Sequence, residues 1–236
     1  MIVSVVKLVA IILWTACISA IEILITPFHR TGKLFHALAR IHARGMLAVA
    51  GVKLRVEGLE NVDFSRSYIY VANHASLFDI PAVLAGVPDQ IRIVYKKELE
   101  RIPLFGWGLK YGKTYISVDR ASGSDAVRTL EDAAAKIRHG ASVILFAEGT
   151  RSPDGRLQQF KRGAFNLAVK AGIPVVPLTI NGSWNILKKK SFTIRPGIIT
   201  LVLSKPIEPP AADGKESEFR LCDDVRLAIE RNYKNQ

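Results

Sequence analysis

Tyr68-Ile69-Tyr70-Val71-Ala72 runs directly into Asn73-His74-Ala75-Ser76-Leu77-Phe78-Asp79, and that into Ile80-Pro81-Ala82-Val83-Leu84-Ala85. An apolar β-type run, a polar turn and a short apolar helical run in immediate succession form a strand-to-helix unit of an α/β domain. The same texture extends on both sides. Strands are predicted at Lys53 to Val56, Tyr68 to Ala72, Ile91 to Tyr95, Thr114 to Val118, Ser142 to Phe146, Val175 to Ile180 and Ile198 to Leu203. Helices are predicted between them at Ile80 to Ala85, Asp125 to Arg138 and Gly163 to Ala171, with a last one at Glu218 to Arg231 after the Pro-rich stretch Pro206 to Pro210. The expected architecture is an α/β fold with a mixed central sheet and flanking helices, occupying residues 53–236. No internal repeat or low-complexity tract interrupts it.

Residues 1–52 read differently, as a two-helix membrane-binding motif. Met1 to Phe28 is apolar except for Lys7 and Glu22 among charged side chains, long enough for a spanning helix or for a deep helical partner that does not fully cross. A cleaved signal peptide would carry a basic start and a small-residue cleavage site. Here Met-Ile-Val-Ser-Val-Val precedes Lys7, and Ser19 and Ala20 make a weak site. Arg30 to Val52 reads as a second helix with Lys33, Arg40 and Arg44 on one side and Leu34, Leu38 and Ile41 on another. A basic amphipathic helix behind an apolar one suits anionic lipid headgroups on the cytoplasmic face of a membrane. The alternative is an ordinary core-packing helix.

Composition limits the partners. Thirty-three Lys and Arg against 21 Asp and Glu give a formal charge of +12, which favours an anionic partner. Only Cys17 and Cys222 are present, so neither a disulfide framework nor a Cys-rich metal site is supported. His29, His36, His42 and His139 have no zinc spacing, and no metal site is expected. No nucleic-acid motif is visible, and the aromatics form no stacking platform.

Three polar clusters carry the candidate chemistry. In the first, Asp79 can return across the turn to the His74 imidazole, fixing its tautomer and stabilising the charge it gains on taking a proton. Ser76 and Asp79 also look like a capping pair for the following helix, and the spacing alone does not decide between the two readings. The second cluster, Phe146-Ala147-Glu148-Gly149-Thr150-Arg151-Ser152, offers an Arg for bidentate phosphate contact and a Glu148 that can accept from a hydroxyl or hold Arg151. A structural Glu148–Arg151 ion pair is the plainer reading. Lys161 and Arg162 add positive charge nearby.

The third cluster is Gly112-Lys113-Thr114-Tyr115-Ile116-Ser117-Val118-Asp119-Arg120. Gly-Lys-Thr invites a nucleotide phosphate loop, but Trp107 stands where that motif needs glycine, and the segment leads into a strand rather than a helix.

Together the clusters resemble the glycerolipid acyltransferase family typified by bacterial lysophosphatidic acid acyltransferase. His74 to Asp79 is similar to the family's His-x4-Asp block, Gly112 to Arg120 to its second block, Phe146 to Ser152 to its third, and Val176-Pro177-Leu178-Thr179-Ile180 to its fourth. Lys96-Lys97-Glu98-Leu99 and Pro103-Leu104-Phe105-Gly106-Trp107 resemble the segment between the first two. Ala147 departs from the proline common in the third block, which bears on local loop shape and leaves Glu-Gly-Thr-Arg intact.

The resemblance implies acyl transfer from a thioester, acyl-CoA or acyl-carrier protein, to the sn-2 hydroxyl of lysophosphatidic acid. His74 and Asp79 would be catalytic, while Lys96, Arg120, Glu148, Gly149, Thr150 and Arg151 would surround the substrate, with no cofactor. Oxyanion donors are sought among backbone N–H groups around Gly149 or Ile116. A covalent serine hydrolase would show Gly-x-Ser-x-Gly, which does not occur.

Overall fold

In the computed structural model, which describes residues 2–28, 32–118, 134–135, 137, 140–211 and 214–234, seven strands make one mixed sheet. They are β1 (Val52–Glu57), β2 (Ile69–Ala72), β3 (Ile91–Lys96), β4 (Ile116–Val118), β5 (Ser142–Phe146), β6 (Val175–Asn181) and β7 (Gly197–Leu203), in the order β1-β7-β6-β2-β5-β3-β4. All seven expected strands are present, with ends shifted by a residue or two. β2 to β6 are mutually parallel, while β7 runs antiparallel to β6 and carries β1 parallel to itself. The carboxyl ends of five strands therefore share one edge, where chemistry collects in open α/β sheets.

The helices are α1 (Ile2–Ile25), α2 (Lys33–Ala50), α3 (Asp79–Gly86), α4 (Phe105–Gly112), α5 (Gly163–Ala171), α6 (Ser183–Ile186) and α7 (Lys215–Asn232). Strand parity divides the core in two. Tyr70 and Ala72 of β2 face a layer built from α1, α2 and α3, whereas Ile69 and Val71 face α5 and α7. Central strands covered on both faces are buried along their whole length, as in β2 and β6. The edge strand β1 alternates instead, with Lys53, Arg55 and Glu57 outward. The expected helix over Asp125 to Arg138 lies outside the described residues except for Ala134, Ala135 and Ile137, which are helical.

Two helices escape sequence reading. α4 carries Gly106, Gly108 and Gly112, which weaken its helical signal. Their missing side chains let it lie close to the backbone of Leu99 and Glu100, to Glu22 of α1 and to Phe35 of α2 respectively. α6 is only one turn long. β4 starts later than expected because Lys113, in the left-handed region at φ 49°, ends α4 first. Helix thus precedes strand there, the reverse of a phosphate loop.

α1 turns its charged residues inward. Lys7 Nζ donates to Ala50 O at 2.7 Å, closing the carboxyl end of α2, and Glu22 is buried beside α4. Ile2, Val3, Val6, Ile12, Leu13 and Leu24 are exposed. The helix is long and apolar enough to cross a membrane, and its apolar side has no cover within the described protein.

α2 departs from the expected division into basic and apolar sides. Its buried face is Phe35, His36, Ala39, Ala43, Leu47 and Ala50, four of which belong to the core it shares with α3 and the sheet. Leu34 and Ile41 are exposed, and Arg40 Nη1 donates to Val87 O at 2.8 Å. The helix therefore packs on its small-residue face, which permits close approach to α3, and Arg40 is tied to protein backbone rather than presented outward. His36 is structural: burial and the Arg92 guanidinium push it down to about 4, and its Nε2 pairs with Asp89 O at 2.9 Å.

Gly182 joins β6 to α6 with φ at 85°, and a Cβ there would collide with the carbonyl oxygen of Ile198. Gly182→Ala is expected to cost about 2 kcal/mol or more, from left-handed strain and backbone collision together. Urea denaturation in detergent should show a lower midpoint with an unchanged slope.

Candidate active site

The turn after β2 is shaped by one carboxylate. Asp79 is fully buried at the first position of α3, and its Oδ2 accepts from Ala75 N at 2.8 Å, Ser76 N at 2.9 Å and His74 Nδ1 at 2.6 Å. His74 Nδ1 is read as the ring's donor to this carboxylate, which already accepts from two backbone N–H groups. That leaves the Nε2 lone pair as the ring's basic site. Asp79 thus accepts from the turn at the amino end of α3 and also orients His74. Ser76 serves elsewhere, its Oγ donating to Leu187 O at 2.8 Å and accepting from Phe78 N at 3.3 Å.

The ring is fixed in plane as well. Phe146, the last residue of β5, stacks on the imidazole with centroids 4.0 Å apart and planes 21° from parallel. An aromatic face beside imidazole stabilises the positive charge that protonation would bring. Only 16% of the His74 side chain is exposed, against none of Asp79.

The loop after β5 is laced to this turn. Glu148 Oε1 accepts from His74 N at 2.9 Å, Ser152 N donates to His74 O at 2.7 Å, and Ala147 N donates to Ala72 O at 3.1 Å. The second Glu148 oxygen accepts from Gln158 Nε2 at 2.6 Å, and the same nitrogen reaches Thr150 O at 3.1 Å. Burial raises the Glu148 carboxyl above its ordinary range, and the bonds from His74 N and Gln158 pull it back. One carboxylate oxygen thus ties the loop to the His74 turn, and the other holds the loop to itself. The Glu148–Arg151 ion pair is not among the ion pairs of the described residues.

Gly149 adopts φ 70°, and a Cβ there would press on the Lys161 side chain at 3.0 Å, so the loop needs glycine at this point. Its N–H donates to Phe146 O at 3.0 Å, which takes it out of the set of oxyanion donors considered from sequence. Thr150 is exposed and Arg151 half-buried at the same loop tip. Lys96 ends β3, on the sheet edge shared with the carboxyl ends of β2 and β5. Arg120 lies outside the described residues.

Three contributors were not read from sequence. Asn73 clamps β6 to the turn, with Nδ2 donating to Ile180 O at 2.9 Å and Oδ1 accepting from Ile180 N at 2.8 Å. Gln158 braces Glu148. Lys189, just past α6, donates from Nζ to Arg151 O at 2.8 Å and Thr150 Oγ1 at 3.2 Å. No local pattern marks any of the three. Asn73 and Lys189 are defined by partners on another strand or loop, and Gln158 by partners eight and ten residues earlier in its own loop.

Among the described residues, no group of three or more His, Cys, Asp and Glu side chains gathers as metal ligands would. The arrangement brings a mostly buried, oriented imidazole beside a loop that carries Arg151.

Comparison with known proteins gives consistent results. A family model described as Acyltransferase matches residues 53–181. A chloroplastic 1-acyl-sn-glycerol-3-phosphate acyltransferase of Arabidopsis thaliana is 34% identical over 209 residues, 88% of this chain and 56% of that protein. The 1-acyl-sn-glycerol-3-phosphate acyltransferase of Pseudomonas aeruginosa is 35% identical over 156 residues, 66% of this chain and 59% of its own length. The chain thus spans somewhat over half the length of the curated relatives it matches. The crystal structure of the 1-acyl-sn-glycerophosphate (LPA) acyltransferase PlsC from Thermotoga maritima superposes with a TM-score of 0.82 at 28% identity, covering 98% of this chain and 93% of that one.

The Glu148 bridge is specific to a carboxylate, because both oxygens face donors. In Glu148→Gln the amide nitrogen must confront either His74 N–H or the Gln158 amide. Despite its matched shape, this variant is expected to lose about 1 to 3 kcal/mol of stability, as an unsatisfied buried donor does. Equilibrium urea unfolding beside the wild type measures it, and an unchanged midpoint would remove Glu148 as the brace.

Proposed function

The chain belongs to the acyltransferase family, and from that premise we propose that it is a 1-acylglycerol-3-phosphate O-acyltransferase. It moves a fatty acyl group from an acyl thioester, acyl-CoA or acyl-carrier protein, to the sn-2 hydroxyl of lysophosphatidic acid, making phosphatidic acid for phospholipid synthesis. The observation that carries this reading is the 2.6 Å bond from His74 Nδ1 to the buried Asp79. It provides an oriented base, as direct transfer from an activated donor needs.

A thioester is already reactive, so the weak partner is the acceptor hydroxyl. His74 Nε2 takes the hydroxyl proton as the oxygen attacks the thioester carbonyl. The imidazolium so formed is stabilised by Asp79. Collapse of the tetrahedral intermediate breaks the C–S bond, and the proton passes from His74 to the leaving sulfur. Base catalysis of this kind contributes on the order of 10² to 10⁴ in rate. Lys96, Arg120 and Arg151, with Gly149 and Thr150 shaping the loop, are assigned to the glycerol phosphate, and Glu148 to holding that loop against His74. No cofactor enters the reaction.

His74→Ala is expected to abolish transfer while the fold and lipid binding persist, and Asp79→Asn to lose much of the rate. Radiolabelled acyl transfer to lysophosphatidic acid, run with both thioester donors, is the test. Turnover at the wild-type rate by folded His74→Ala protein would refute the mechanism.

The membrane reading rests on α1. Its exposed apolar side adjoins α4, which packs against it and leaves Trp107 and Tyr111 about half exposed, side chains suited to a lipid–water interface. Leu77, inside the His74–Asp79 turn, is 54% exposed. We place residues 1–52 as the membrane-docking unit and 53–236 as the catalytic unit, held at the cytoplasmic face of the cytoplasmic membrane and drawn to anionic lipids. Neutralising Lys33 and Arg44 together should weaken binding to anionic vesicles, each charge near the surface contributing roughly 1 kcal/mol, and make it less sensitive to salt. Vesicle sedimentation at two salt concentrations decides, with equal binding by variant and wild type as the contrary result.

A further inference from the structure

The segment after β6 touches both halves of the catalytic site, although it lies beyond the residues matched by the family model. Gly182 and α6 bring the chain back over the sheet edge. The Leu187 carbonyl then accepts from the buried Ser76 Oγ of the His74–Asp79 turn at 2.8 Å. Arg195 N donates to Ile186 O at 2.9 Å, and Lys188 Nζ sits 3.8 Å from the Trp184 ring centroid, so the segment is folded back and pinned rather than trailing. Two residues after the Leu187 anchor, Lys189 places its ammonium on the Thr150–Arg151 tip.

The partners of that ammonium are a carbonyl and a hydroxyl, Arg151 O at 2.8 Å and Thr150 Oγ1 at 3.2 Å. Both are neutral, so they fix the position of the charge without cancelling it. An ammonium has three donors, and these bonds use two. The third N–H and the full positive charge remain at the loop tip that also carries Arg151. Lys161, whose side chain lies over Gly149, adds to the same field. A cation held rigidly beside an arginine suits a doubly charged phosphate monoester, for which arginine supplies the fork and lysine the point charge.

Building on the proposed reaction, we infer that Lys189 is a further binding residue for the acceptor's phosphate. It also positions Arg151 by fixing the backbone at its root. The site for the phosphate is therefore completed from outside the four sequence blocks.

Charge and tether are separable at this position. Lys189→Gln keeps an N–H donor on a side chain one bond shorter but removes the charge, whereas Lys189→Arg keeps the charge. Full-length protein in mixed micelles would be assayed with lysophosphatidic acid and with a monoacylglycerol of the same chain. Equilibrium binding of lysophosphatidic acid would be measured alongside, and matched thermal melts would confirm folding.

The expected result for Lys189→Gln is a KM for lysophosphatidic acid, and a Kd, raised on the order of tenfold, as loss of a charged contact gives. Its kcat and thioester KM should stay within about twofold, and its relative rate on monoacylglycerol should match the wild type. Lys189→Arg should restore most of the loss. Wild-type KM and Kd in Lys189→Gln overturn the inference. So does a fall in kcat alone, or an equal loss on monoacylglycerol, either of which would make Lys189 a structural support. If the wild type transfers nothing to lysophosphatidic acid, the proposed reaction is wrong, and the binding comparison still decides whether Lys189 holds phosphate.

Discussion

A carboxylate removed from water must be satisfied by nearby donors, and the turn between β2 and α3 is built to that requirement. Desolvating Asp79 would cost several kcal/mol if it stood alone. Three N–H groups converging on Oδ2, together with the helix amino terminus, offset part of that cost, while the buried Oδ1 has no hydrogen-bond partner among the described residues. To deliver the N–H groups of Ala75 and Ser76 to one oxygen, the chain must leave β2 and curl at once into α3. The imidazole of His74 is then carried to the same atom with no freedom to turn. The bond that orients His74 and the bonds that shape the start of α3 meet on one carboxylate oxygen, so a capping role and the proposed base-orienting role of Asp79 do not compete.

The neighbouring loop is constrained by the turn's backbone rather than by its side chains. His74 gives its N–H to Glu148 and receives the N–H of Ser152 at its carbonyl, so the loop after β5 is bonded on both sides of the residue that carries the base. Because β2 and β5 are adjacent parallel strands, their carboxyl ends deliver the two loops side by side. His74 and the loop carrying Arg151 are thereby held relative to each other, and for the proposed reaction positioning of that kind would be a major contribution to a bimolecular step.

The strands and the two leading clusters were legible in sequence because their signals are local. β2, β5 and β6 are short apolar runs bounded by polar turns, and His74 lies five residues from the Asp79 that orients it. What was illegible depends on distant partners. Lys189 meets Arg151, Asn73 meets Ile180, and Gln158 is seen as a brace only once Glu148 is placed against His74. α4 was hidden for the opposite reason, since the glycines that let it pack closely are the residues that disguise a helix. In α2 the basic and apolar sides were visible, but small residues decided the packing, and Ala39, Ala43 and Ala50 carry little weight in a reading based on large apolar side chains.

That packing bears on how, in the proposed reaction, a lipid would reach His74. α2 is bound to α3 and α3 begins at Asp79, so the helix that adjoins α1 is separated from the catalytic turn by a single helix. α1 reaches the sheet a second way, through α4, where the missing side chain of Gly108 admits Glu22. Lys7 and Glu22, which would be costly on the apolar side, are turned onto the protein, so the outward side of α1 stays apolar without leaving charge exposed to hydrocarbon. Interiors packed at crystal-like density transmit position rather than absorb it. Whatever surface receives α1 therefore also sets the place of α3, and with it the height of His74 above that surface. In the proposed reaction, that height would limit which hydroxyl of an acyl-anchored acceptor could come within reach of Nε2, so docking would bear on regiochemistry as well as on access.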